Sequence, residues 1–265
     1  MKSNLFSEFL YQLIALLLAV IIVHTAYVTV VWPGAQAVLD EQRAEQAASG
    51  TYTVKRSLFI VIKDYEQESC FVLLLWATAI MGFKARTTLR ERRQLQALPF
   101  SVAPGARILP EDARTYARAL QALPPPAAKS LLPRALLAAL QRFATTRNVQ
   151  DVAQSLRESF ETEASRLDAE LSMVRYIVWA IPSIGFIGTV RGISQALEQA
   201  HRAVEGDIVG VTVSLGVAFN STFVALIISL FVMFLLHQLQ LLQERLVFDG
   251  QACAESQLLR HLATR

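Results

Sequence analysis

The sequence predicts an all-α membrane protein of about four transmembrane helices with a helical cytoplasmic domain, and three observations predict it. First, the 265-residue chain is 53% hydrophobic and 18% charged, with a mean hydropathy of +0.37. A soluble domain normally carries about 25% charged residues. Second, the apolar residues gather into four segments separated by polar or proline-rich stretches. Third, Lys84, Arg86, Arg90, Arg92 and Arg93 crowd one end of the second segment, and such clusters mark the cytoplasmic side of a membrane. The two cysteines, Cys70 and Cys253, fall on opposite sides in this topology and make no disulfide framework.

In chain order, residues 1–8 form a cytoplasmic N-terminus and 9–32 the first span, long enough for a hydrocarbon core of about 30 Å. Lys2 and Ala35-Gln36-Ala37 also fit a cleaved signal. The apolar stretch exceeds the roughly 7–15 residues of such signals, and Glu8 spoils the basic start, so a retained span is expected. Residues 33–67 form an external segment with an acidic excess, and 68–84 the second span, whose apolar core is short and borrows from its flanks. The cytoplasmic domain, 85–172, is punctuated by Pro99, Pro104, Gly105, Pro110, Pro124-Pro125-Pro126 and Pro133. Within it, 111–123 and 132–143 have helical apolar spacing. A longer stripe of Val152, Leu156, Phe160, Ala164, Leu167 and Leu171 is expected to run unbroken into the third span. That span is 173–198, followed by a short external loop at 199–208, the fourth span at 209–237 and a cytoplasmic C-terminal helix at 238–265.

Chemistry-bearing motifs outside the last two spans are few. No phosphate-cradling glycine loop, metal-ligand cluster or nucleophile–base pair stands out, and His24, His201, His237 and His261 are scattered. The expectation is a protein that is not an enzyme, without cofactor or bound metal, and without a nucleic-acid partner. Arg90-Glu91-Arg92-Arg93 reads either as a topology determinant or as a contact for a partner or anionic membrane lipid.

The third span reads Ile181-Pro182-Ser183-Ile184-Gly185-Phe186-Ile187-Gly188-Thr189-Val190-Arg191-Gly192-Ile193. Gly185, Gly188, Thr189 and Gly192 share a helix face that another helix can approach closely. Pro182 frees a backbone carbonyl. On the fourth span Ser214, Ala218, Ser221, Ala225 and Ser229 form a matching small stripe with Asn220 and Thr222 beside it, while Phe219, Phe223, Ile227, Leu230 and Phe234 suit lipid. Spacing alone leaves two possibilities open: helix–helix packing, or a polar lining for a pore or an inserted partner helix.

The 181–193 segment resembles the penultimate-span motif of the MotA/TolQ/ExbB proton-channel family, which carries a proline, glycines and a Gly-Thr-Val-x-Gly-Ile run. Thr222-Phe223-Val224-Ala225-Leu226 is similar to the family's Thr-x-x-Gly-Leu run in the last span. The similarity covers roughly residues 68–98 and 150–250. It implies a multi-pass protein of the bacterial inner membrane with both termini cytoplasmic. It also implies a homo-oligomer, a pentameric ring, around a single-span partner of MotB/TolR/ExbD type whose membrane aspartate carries a proton, in preference to sodium. Proton flow then drives mechanical work. Thr189 and Thr222 match the family's pore-facing threonines, with Ser221 and Asn220 beside the path. Pro182 matches a proline tied to coupling, and Gly185, Gly188, Gly192, Ala218 and Ala225 take helix-packing places.

Two positions depart from the pattern. Arg191 stands where an apolar residue is expected and is read as pairing with Glu66 or Glu68, as snorkelling to the outer interface, or as tuning cation passage. Ala225 replaces a glycine. No aspartate or glutamate lies in the interior of a span, Glu68 and Glu198 sitting only at outer ends, so the titrating group is expected from another subunit. The alternative function is a non-conducting scaffold or signalling subunit that uses the helix pair only for assembly.

Overall fold

The computed structural model describes residues 2–49, 57–97, 106–206 and 208–263; the expected breakers Pro99, Pro104 and Gly105 lie outside them. The described residues are helical almost throughout, and the strand-type pairing among them is a single parallel bridge between Ile108 and Leu262. Four helical stretches are long and apolar enough to cross a membrane: Ser7–Glu45, Tyr65–Leu95, Val149–Glu198 and Val209–His261. The chain divides into two compact units, one of residues 1–82 and 173–236, the other of 83–172 and 237–265.

In the first unit, α1 (Lys2–Ala26), a π-helical turn (Tyr27–Val31) and α2 (Trp32–Ser49) follow without a break. Pro33 explains the widened turn. A proline lacks the N–H and its ring crowds the carbonyl four residues back, and the wider turn makes room, with Trp32 N–H bonding Tyr27 O instead. Gly34 lets the Phe59 ring of α3 (Leu58–Ile62) close on α2, since a Cβ there would stand 3.0 Å from it. The long helix α4 (Tyr65–Ala97) runs antiparallel to α1. Trp76 Nε1 donates to Gln12 O at 2.9 Å, and Tyr11 OH donates to Ala79 O at 3.1 Å.

The other two long helices complete this unit: α9 (Ser172–Glu198) and the unit's portion of α11 (Val209–Gln257), joined through the short α10 (Ala200–Val204). They too are antiparallel. Cys70 of α4 donates its thiol to Ile181 O of α9 at 3.7 Å. Large apolar side chains in this unit point outward, Trp179, Phe186, Val190, Phe219, Phe223 and Leu230 among them. This is the pattern of helices solvated by lipid.

The second unit is built the opposite way. Between α5 (Ala113–Gln121), α6 (Pro125–Ala128), α7 (Leu131–Thr146) and α8 (Val149–Ala169), large side chains face inward, with Leu132, Leu136, Leu140, Phe143 and Phe160 in one apolar core beside Leu246 and Leu258. Arg147 takes the left-handed conformation (φ 53°) that ends α7, and Asn148 then caps α8 by accepting from Gln150 N–H at 2.9 Å. The continuous helix expected across 150–198 is interrupted at Glu170–Leu171. There Glu170 N–H is drawn to both Arg166 O and Asp168 O, and the Glu170 carboxylate is held by Lys84 Nζ at 2.7 Å.

One residue of the expected α8 stripe is displaced. Ala164 is exposed, and Glu163 turns inward because Arg134 and Arg166 both bind its carboxylate, Arg134 Nη2 at 2.9 Å. Beside it, burial first and the Glu163 charge second raise the pKa of Glu91 above the usual carboxylate range.

Candidate functional site

Between α9 and α11 the glycines and small residues interlock. A Cβ on Gly185 would stand 2.6 Å from Ala225 Cβ, one on Gly188 2.5 Å from Ser221 Cβ, and one on Gly192 2.6 Å from the Ala218 nitrogen. Those separations leave no room for a side chain, so the glycines are what permit the contact. Ala218, Ala225 and Ser221 are correspondingly buried. Gln199 Nε2 donates to Ser214 Oγ at 3.2 Å and ties the far end of the seam.

At the middle of the seam, Thr189 and Thr222 face each other. Their hydroxyls are hydrogen-bonded together. One of the two protons makes that bond, and the other goes to a backbone carbonyl: Thr189 Oγ1 lies 3.2 Å from Gly185 O and 3.3 Å from Ala218 O, and Thr222 Oγ1 lies 3.2 Å from Gly185 O. Each hydroxyl has one proton and two lone pairs. Acceptor capacity therefore remains on both oxygens, and rotation about Cβ–Oγ redirects either proton. Such a pair can orient water or a carboxylate. It cannot itself carry charge near neutral pH. Both threonines are half-buried, Asn220 is half-buried on the adjoining face, and Ser221 lies in the seam itself.

Pro182 has its compensation across the same seam. The carbonyl it frees, Val178 O, accepts from Ser229 Oγ of α11 at 3.3 Å. The buried serine thus replaces the missing backbone donor and ties α9 to one register of α11.

A second polar group lies at the Glu66 end. Arg191 Nη2 is 2.7 Å from Glu66 Oε2 and 3.6 Å from Asp64 Oδ1, so the guanidinium pairs with two carboxylates of the α4 start. Of the two glutamates expected as its partner, Glu66 is the one engaged. Glu68 instead meets His24 Nδ1 at 2.8 Å. The Glu66 stem passes so close to α9 that a Cβ on Gly188 would stand 3.2 Å from Glu66 Cγ. A carboxylate side chain of this chain therefore lies beside the residue preceding Thr189. The sequence points to Glu66 as a partner for Arg191 but not to its place against Gly188, since Glu66 belongs to the first turn of α4, outside the apolar segment. The unpaired-looking Arg191 was the available signal. Gln67, fully buried, donates Nε2 to Ser221 Oγ at 3.3 Å and to Val61 O at 3.2 Å. Among the described residues no group of three or more His, Cys, Asp or Glu is placed to hold a metal ion.

Residues 127–251 match the model of the MotA/TolQ/ExbB proton channel family. No curated protein and no solved structure matches the chain. The matched stretch starts in α6 and includes α9 and most of α11; His24, Asp64, Glu66 and Glu68 precede it. Over residues 127–251, which carry both helices of the threonine seam, the chain is similar to the MotA/TolQ/ExbB proton channel family.

Proposed function

We propose that this chain is the ring-forming, ion-path subunit of a proton-driven motor in the bacterial inner membrane. In this reading both termini, residues 85–172 and the end of the chain are cytoplasmic, and 33–67 and 199–208 are external. Copies of the chain, five by family analogy, surround a single-span partner whose membrane aspartate titrates. Thr189 and Thr222, with Asn220 beside them, polarise the path that the proton takes past that carboxylate. Pro182 and the glycine seam set the stiffness of the helix pair. The observation that carries this is the hydroxyl pair held between α9 and α11 with acceptor capacity to spare, inside a stretch matching a proton-channel family.

The test is proton flux into vesicles containing the chain and its partner. Thr189→Val keeps the shape of the side chain and removes the hydroxyl, and flux is expected to collapse by an order of magnitude or more. Undiminished flux would remove the threonines from the path. One observation favours a second reading, a non-conducting scaffold: every glycine and small residue of the seam is used in close packing. On that reading Thr189→Val lowers assembly in proportion to any loss of function, and the wild-type vesicles show no flux.

A further inference from the structure

We propose that the buried ionic cluster at the Glu66 end of α4 encloses ordered water and takes up a hydrated proton, which it presents to the threonine seam. The last step rests on the ion-path reading above; the water site does not.

Four elements meet there. The α1 end and its π-helical turn contribute His24 and Tyr27, α4 and the residues before it contribute Lys63, Asp64, Glu66, Glu68 and Cys70, and α9 contributes Arg191. The facing part of α11 contributes the neutral Ser221. Three carboxylates thus stand against two permanent cations, Lys63 and Arg191, with His24 able to add a third. The cluster has a surplus of one negative charge when His24 is neutral, and positive charge is drawn to it.

The protein leaves this cluster unfinished. Tyr27 OH, Asp64 Oδ2, Gln67 Oε1 and Arg191 Nε are all buried without a hydrogen-bond partner. Gln67 is 0% and Tyr27 3% exposed. Buried polar groups are nearly always satisfied, and an orphan costs about 1–3 kcal/mol. The chemistry of the four atoms identifies what satisfies them. Two are pure acceptors, Arg191 Nε is a pure donor, and the tyrosine hydroxyl is both. A dehydrated metal cation would suit the acceptors but repel the guanidinium and leave its N–H bare. Water both donates and accepts, so it complements all four.

The surroundings suit an inlet. The His24 ring is well exposed while its Glu68 partner is half-buried, so the pair leads from the surface inward. Inward, Gln67 bonds Ser221, and Glu66 lies against Gly188, next to Thr189. The π-helical turn places Tyr27 on the cluster, and such turns recur at functional sites.

The experiment is X-ray hydroxyl-radical footprinting of the full-length chain in lipid nanodiscs, where radicals form from bound water. Tyr27 is expected to be oxidised within about threefold of the rate of Tyr65, which is 67% exposed. An unmodified Tyr27 means a dry cluster and overturns the proposal. This footprint needs no variant, so it holds even where a substitution fails to fold. In vesicles with the partner, Glu66→Gln and Asp64→Asn are each expected to cut proton flux at least fivefold. Flux unchanged in both, with Thr189→Val still abolishing it, overturns the inlet and leaves the ion-path reading intact. A labelled Tyr27 with undiminished Thr189→Val flux supports the water site and removes the ion-path reading instead. Sodium replacing choline in the buffer is expected to leave the Tyr27 rate unchanged; protection by sodium overturns the assignment to a proton.

Discussion

The two units of this chain are both helical but have opposite interiors. In the second unit the centre is Leu, Ile and Phe, and among the described residues only Phe83, Leu89 and Phe248 are exposed large apolar side chains there. In the first unit the seam between α9 and α11 is Gly, Ala, Ser and Thr, and the aromatic and aliphatic bulk faces outward. The difference teaches where each unit's stability originates. Apolar burial drives association only where the alternative is water. Where the surroundings are themselves apolar, close backbone approach and hydrogen bonds across the seam must hold the helices together.

That contrast can be broken by truncating equivalent side chains in the two units. Phe143→Ala removes a fully buried ring from the second unit and is expected to cost about 3–5 kcal/mol. Phe223→Ala removes an exposed ring of α11 and is expected to stay within about 0.5 kcal/mol. Denaturant titration of the full chain in detergent measures both, and equal losses would abolish the distinction.

The converse operation, adding a single carbon, sharpens it. Gly192→Ala places a Cβ 2.6 Å from the backbone nitrogen of Ala218, which cannot swing aside, and is expected to cost about 1–3 kcal/mol. Gly216→Ala, on the same helix pair, meets nothing within 4 Å and is expected to be neutral or slightly stabilising. Thermal melts of the two variants test whether the seam or glycine as such is the sensitive element.

The smallest expected effect concerns charge in the second unit. Glu91 has a pKa raised in the folded state by burial first and by Glu163 second, partly offset by Arg166 and Arg134. A raised carboxylate pKa means that the folded form binds more protons than the unfolded form between the two pKa values. Stability is therefore greatest below the unfolded value of about 4.3 and falls as pH rises through the raised one. Glu91→Gln is expected to lift the melting temperature at pH 7, with the gain vanishing near pH 4. A gain that persists in acid would place its origin elsewhere.

What could be read from the residues alone depended on whether a partner was needed. Four long apolar segments and the glycine face of α9 are visible in one strand of text, because length and a missing Cβ are local facts. So was Arg191's need for a carboxylate. Ser229 could not be matched to Val178 O without the antiparallel register of α9 and α11, nor His24 to Glu68 without that of α1 and α4. Ala164 fits the apolar spacing of α8, yet Glu163 turned inward, since two arginines from different turns and helices were required to neutralise it. Thr189 and Thr222 were each legible as polar positions. That they hydrogen-bond one another was not.

The two thiols have a practical consequence. Cys253 is partly accessible, with burial lifting its pKa, whereas Cys70 is sealed against Ile181 O in the first unit. The native chain is thus already a two-channel reporter. A maleimide label on Cys253 follows the second unit without engineered sites, and any reaction at Cys70 counts the moments when α4 lifts away from α9.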